Sequence, residues 1–517
     1  MKKLYLYLFL PALFFLHACS STKPLAAGSD DGMIEITFIQ VNDVYEIAPL
    51  DGGKSGGMAR VATFKKEALL KNPNTYLVMA GDFLSPSVYN SLRHEGNRIR
   101  GKQMVEAMNT AGFDLAIFGN HEFDIPAADL QSRINESTFK WISSNTFQKK
   151  DNDMFPFVKQ TASGPESFPE TYIMHVKDAD GTTARIGFIA VTLPFNKAAY
   201  VGYTDVFKAA QTAYDKIKDS CEAVIAITHQ EMEDDIKLAK QIPGLAFIMG
   251  GHEHERHYAK IGYVYITKAD ANAKSAYTIN LTVNKNRRMR KVEASLTDIT
   301  DSIAFDPATD AVVKKWTSIA NNNYASLGFD ANKVALRSGE PLDGREAYIR
   351  SMPTNFTRLI VAAMEKASPE ADAVIINSGS IRVDDVLQIP VTQYDVIRSL
   401  PYGGSIMEAD MKGSLLVQVL NAGIKNRGSG GFLQYSTSFT KDSASGNWSL
   451  KNTAIDPAKV YKIALADFLL TGGESNLGFL TGKNPDIEKV YPVYTDAKDL
   501  RSDIRRAIIH YMEGLGK

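Results

Sequence analysis

Gly119-Asn120-His121-Glu122-Phe123-Asp124 follows directly on the apolar run Leu115–Phe118, and this stretch decides how the rest of the chain is read. A short run of β-forming residues is stopped by glycine, then by amide, imidazole and carboxylate groups. That is the pattern of a buried strand delivering polar side chains from its carboxyl end. In open α/β sheets, ligands collect outside that end of the strands.

Four more clusters repeat the pattern on either side. Asn42-Asp43-Val44-Tyr45-Glu46 follows Ile34–Val41, and Gly81-Asp82 follows Tyr76–Ala80. Thr228-His229-Gln230 closes the run that starts at Ala223. Gly250-Gly251-His252-Glu253-His254 follows Leu245–Met249. Arg185–Val191 is a further apolar run. Most of these runs lack polar alternation, as strands buried on both faces do. Amphipathic stretches such as Ala59–Leu70 and Lys102–Ala111 lie between them. The expected architecture is a layered α/β domain.

The five clusters together supply several carboxylates, an amide oxygen and several imidazoles. This mix suits two divalent cations such as Zn²⁺, Mn²⁺ or Fe²⁺. Two cations about 3.5–4 Å apart can clamp a phosphate and activate a water. Of nine histidines, one lies in the first 18 residues, and four of the other eight (His121, His229, His252 and His254) fall in these clusters. A lone histidine at a strand end is more often structural, and Asp82 after Gly81 also reads as a turn former. The case rests on all five clusters occurring in one order.

That order resembles the calcineurin-like metallophosphoesterases, and the Glu-Phe-Asp ending of Gly119–Asp124 resembles their 5′-nucleotidase branch. The resemblance implies a layered β-sandwich flanked by helices, with a second, smaller α/β substrate-binding domain. It implies that Asp82 bridges two metals, with Asp43 and His254 on the first and Asn120, His229 and His252 on the second. His121 would face the phosphoryl group, with Asp124 holding its ring. A metal-held hydroxide would attack phosphorus. The family usually has histidine two residues after the first aspartate, where this chain has Tyr45. A phenol is a poor ligand unless ionised. Glu46 is an alternative ligand by position.

The second half carries its own resemblance. Asn377-Ser378-Gly379-Ser380-Ile381-Arg382 is similar to the substrate-binding segment of the 5′-nucleotidase C-terminal domain. Gly430–Gln434 resembles the loop supplying one base-stacking ring, Phe432. Asp467-Phe468-Leu469, with Gly472-Gly473-Glu474 and Phe479, resembles the loop supplying the other. Asn377, Arg382, Phe432 and Phe479 are therefore the expected substrate contacts, although both phenylalanines also read as core aromatics. Arg350 lies near the position of a further family arginine. The loop before Phe479 is altered and longer.

The remaining features bound these readings. Lys2 and Lys3 precede the apolar stretch Leu4–Leu16, which ends in Leu16-His17-Ala18-Cys19. This reads as a signal peptide over 1–18, with lipidation at Cys19 and a tether over 19–32. The only other cysteine is Cys221, so no disulfide scaffold is expected. A formal charge of −1 gives no basic surface for nucleic acid. The expected domains are a metallophosphoesterase unit at 33–300, a linking helix at 301–335 and a substrate domain at 336–517. The leading expectation is a two-metal phosphoesterase of nucleotides, lipid-anchored outside the cytoplasm. On the same framework a cyclic-nucleotide phosphodiesterase, a nucleotide-sugar hydrolase or a thiosulfate-releasing enzyme would also fit. A non-catalytic nucleotide-binding lipoprotein is the alternative of another class. Oligomeric state is not legible.

Overall fold

A computed structural model describes residues 31–195, 198–286 and 289–515. The expected signal peptide, Cys19 and nearly all of the tether lie outside the described residues. Among the described residues, no helix is long and apolar enough to cross a membrane.

Two six-stranded sheets form the first domain. In one, Met33–Val41, Thr75–Met79, Leu115–Ala116 and Lys140–Trp141 run parallel, and Ser275–Asn284 and Met289–Asp298 continue it antiparallel. In the other, Thr183–Thr192, Ala223–His229, Phe247–Gly251 and Val264–Lys268 run parallel, with an antiparallel strand at each edge. The sheets pack face to face through one buried cluster that includes Ile36, Phe38, Phe188, Ile225 and Phe247. Phe38 sits between them, 5.8 Å from the Phe188 ring and 5.7 Å from that of Phe247. Both faces of each sheet are therefore covered, which is why the runs are apolar without alternation.

Helices Met58–Lys71 and Lys102–Ala111 cover the outer face of the first sheet. Val206–Ile217 and Met232–Gln241 cover that of the second. The helix expected as a linker spans Pro307–Ser326, capped by Asp306. It packs on the first domain: Lys315 and the Trp316 indole both bond Glu106.

The second domain carries a five-stranded sheet built on Ala373–Asn377 and Val460–Ala466, which pair in parallel. From the sequence alone, Glu346–Ser368 and Asp410–Ile424 each read as one helix, and both readings shift here. The helix expected over 346–368 is two helices, Glu346–Ile349 and Asn355–Ala367. Pro353 disfavours continuation, and Thr354 restarts the chain with a reciprocal capping box to Thr357. The helix expected from Asp410 begins at Gly413, because Asp410 and Met411 belong to the strand Ile406–Lys412.

Candidate metal centre and active site

The parallel strands deliver their polar ends to one place. Asp43, Asp82 and His229 each offer a ligand atom, and these atoms lie within 4.8 Å of one another. Two come from the first sheet and one from the second, and all three residues are buried. Asp43 and Asp82 adopt φ of 53° and 54°. Aspartate tolerates this left-handed turn better than most residues, and it aims both carboxylates back across the sheet edge.

Glu122 builds the floor of the site. Its fully buried carboxylate accepts the backbone N–H groups of Asp82 (2.9 Å), Phe83 (2.7 Å), Leu84 (3.0 Å) and Gly119 (2.6 Å). The His121 N–H then donates to Asp82 Oδ1 at 2.7 Å. Two loops, after separate strands, are thereby locked together.

The donor atoms fit a cation. The Ala80 carbonyl can only accept, so His229 Nδ1 carries its proton toward it at 2.8 Å. In the neutral ring this leaves Nε2 as a lone pair, 3.1 Å from Asp82 Oδ2 and 3.8 Å from Asp43 Oδ1, with no hydrogen bond. Asn120 Oδ1 is likewise buried without a hydrogen-bond partner. Buried polar atoms left in this way call for a water or an ion to satisfy them. Burial disfavours a charged His229, yet Asp82 and Asp43 outweigh it and push the imidazole up to about 9, so a cation binding at Nε2 takes the place of a proton there. Burial alone would raise the Asp82 carboxyl, but His229 and His121 hold it well below the usual carboxylate range. The surroundings are built for positive charge.

His252 presents its backbone N–H to Asp43 Oδ2 at 3.0 Å, and its ring lies 5.4 Å from that of His229. Its Nε2 is 3.2 Å from Glu231 Oε1. His254 places Nε2 3.6 Å from Asp43 Oδ1 and 2.9 Å from the Tyr45 hydroxyl. That hydroxyl also lies 3.4 Å from Asp43 Oδ1 and from Asp82 Oδ2. Burial and then the two aspartates raise the Tyr45 pKa well above the ordinary phenol value, so it stays a phenol here. His121 Nδ1 sits 2.7 Å from Asp124 Oδ2, which also accepts from the Ser85 hydroxyl at 3.1 Å.

Glu46, the alternative ligand by position, turns away and bonds the Tyr394 hydroxyl of the second domain. Burial pushes its carboxyl up to about 7, against the Tyr394 hydroxyl and Arg398, which favour ionisation. A raised folded-state pKa gives a contribution fully present below about pH 4.5 and lost as pH rises through 7. Glu46→Gln, a neutral mimic, is therefore expected to gain stability over wild type at about pH 8 relative to about pH 5. The gain should be about 1–3 kcal/mol. Denaturant unfolding at both pH values checks it, and an identical difference at each would refute the assignment.

Sequence reasoning missed Lys268. Its fully buried ammonium donates to Gln230 O at 2.6 Å and pairs with Asp235 (3.1 Å) and Glu253, beneath the His252–His254 loop. The only signal was a lysine ending an apolar strand.

In the second domain, Asn377 donates to Glu474 Oε2 at 2.8 Å and accepts from Ser380 Oγ at 2.7 Å. Arg382 lines a small cavity beside Tyr45, and its Nε is buried without a hydrogen bond. Burial and then Arg382 push Arg350 down to about 10. Phe432 is only 6% exposed, with the Arg427 guanidinium 5.5 Å from its ring centre. Phe479 is half-buried against the second domain's core. Two rings that reach solvent, Tyr402 and Phe468, line a cavity of about 600 Å³ with Asn377 and Ser380. Another, of about 620 Å³, lies between His252, His254, Lys274, Arg345 and Asp384.

A two-sheet sandwich that gathers aspartate, asparagine and histidine from strand ends of both sheets defines a metallophosphoesterase. The calcineurin-like phosphoesterase family matches residues 36–256, and the 5′-nucleotidase C-terminal domain matches residues 334–480. The chain belongs to the 5′-nucleotidase family of metallophosphoesterases, hydrolases that use divalent metals. Human 5′-nucleotidase is 25% identical, with 86% of this chain and 84% of that protein covered. Protein UshA of Escherichia coli is 24% identical, with 88% of each covered. Among solved structures, a 5′-nucleotidase precursor from Thermus thermophilus superposes with a TM-score of 0.68. It is 20% identical and covers 93% of this chain and 97% of its own. The sulfate thiohydrolase SoxB gives a TM-score of 0.63 at 14% identity, covering 93% and 94%.

Proposed function

We propose that this chain removes phosphate from nucleotides outside the cytoplasm, with two divalent cations held at the sheet edge. The observation that carries the reading is the convergence of Asp43, Asp82 and His229 from both sheets, beside the unbonded acceptor atoms of Asn120 and His229. Asp82 would serve both cations, Asp43 and His254 the first, and Asn120, His229 and His252 the second. Bound there, the cations supply charge neutralisation for the phosphoryl group and an activated water.

The chain's own residues do the rest. Asp124 fixes the His121 ring through Nδ1, leaving Nε2 to hold a proton for the phosphoryl or leaving oxygen. Glu122 keeps the loops of Asp82 and His121 in register. Asn377 and Arg382 would grip the sugar and phosphate side, with Phe432 and Phe479 framing the base. Tyr402 and Phe468 add exposed faces on which a base can stack. Phe468→Ala is expected to raise KM for AMP about 5–150-fold while kcat changes little, a loss of roughly 1–3 kcal/mol of stacking. An unchanged KM would remove Phe468 from the substrate site. The domain division at 301–335 and lipidation of Cys19 complete the reading, placing the enzyme on the cell envelope.

Phosphate release from AMP, UDP-glucose and 2′,3′-cyclic AMP, with Mn²⁺, Zn²⁺ or Co²⁺ added in turn, tests it. Cation-dependent release from AMP supports the reading. Nucleotide binding without release under any cation would convert it to a binding protein.

A further inference from the structure

We propose that Asp384, on the second domain, is a positioning residue for His254, so that loading of the first cation position depends on contact between the two domains. This rests on the two-cation reading above.

Asp384 Oδ2 lies 2.6 Å from His254 Nδ1. A carboxylate only accepts, so Nδ1 carries the proton and Nε2 is turned toward Asp43. A carboxylate behind a ligating imidazole fixes its tautomer and ring orientation and raises its basicity. Loss of such a partner typically costs about 10–100-fold in metal affinity. Here the partner crosses from another domain. Asp384 is itself held in place, since its other oxygen accepts the Glu346 N–H. Two further pairs cross the same seam, Lys274 to Asp385 at 2.6 Å and Arg345 to Glu255 at 3.2 Å.

Tyr45 makes the dependence sharper. It offers a hydroxyl where the resembling family offers an imidazole, and that hydroxyl bonds His254 Nε2. The nitrogen donor remaining at the first position is His254, aimed by a residue of the other domain.

Equilibrium dialysis of the full chain against Mn²⁺, with bound metal counted by mass spectrometry, tests this without reading activity. Wild type is expected to bind two equivalents. Asp384→Asn should weaken one site about 10–100-fold and leave the other unchanged, with native circular dichroism. His254→Ala should lose the same site. Tyr45→His combined with Asp384→Asn should recover it, since an imidazole then returns to the first position. Two wild-type affinities in Asp384→Asn would overturn the inference while the two-cation reading stands. A wild-type chain that takes up no cation would overturn both.

Discussion

His121→Ala is expected to lower kcat for phosphate release by roughly 10²–10⁴-fold, the range for losing a positioned proton donor, while cation content stays at the wild-type level. The two halves of that result come from different atoms. The imidazole, held by Asp124 at 2.7 Å, is what the substitution removes. The backbone N–H that steadies Asp82 Oδ1 at 2.7 Å remains in alanine. Metal analysis beside turnover on AMP separates them. A variant with wild-type kcat would show that His121 takes no part in the chemistry. Loss of bound metal in step with the rate would make it a structural support of the metal site instead.

Gly119→Ala is expected to be equally severe by another route. A methyl group there would stand 2.1 Å from Asp82 Oδ1 and 2.6 Å from Asp82 N. Neither atom has room to yield, because His121 N–H pins the first and Glu122 the second. Asp82 must move, and a shift of about 1 Å in a reacting constellation costs roughly 10²-fold. Here the displaced group is the carboxylate expected to serve both cations, so cation content should fall along with the rate. Wild-type cation content and turnover in this variant would mean that the loop is looser than the hydrogen bonds around Glu122 imply.

Much of the site was legible because each contributor is local. A strand ends, glycine turns the chain, and the next side chains face the sheet edge. Asp43, Asp82 and His229 follow from that rule, and the structure gathers them. Glu122 stands inside a recognisable motif, yet its role is not legible there, since three of its four partners lie in the loop after another strand. Lys268 and Asp384 were invisible for the same reason. Each acts through contacts distant in the chain, and a lone lysine or aspartate carries no pattern of its own. The exposed rings of the second domain show the limit too. Phe432 and Phe479 are the rings that the motifs single out, while Phe468 of the same loop and Tyr402 reach solvent, and burial is set by packing that no short window contains.

The sequence by itself determined the layered α/β class, the strand ends that carry the polar clusters and the identity of the donor groups they offer. Periodicity and turn chemistry act over a few residues and can be read from them. Only the tertiary structure decided that Tyr45 lies among the carboxylates, that Glu46 faces away, and that His254 is aimed from the second domain. Those outcomes depend on side-chain direction and on two domains meeting, and long-range packing sets both.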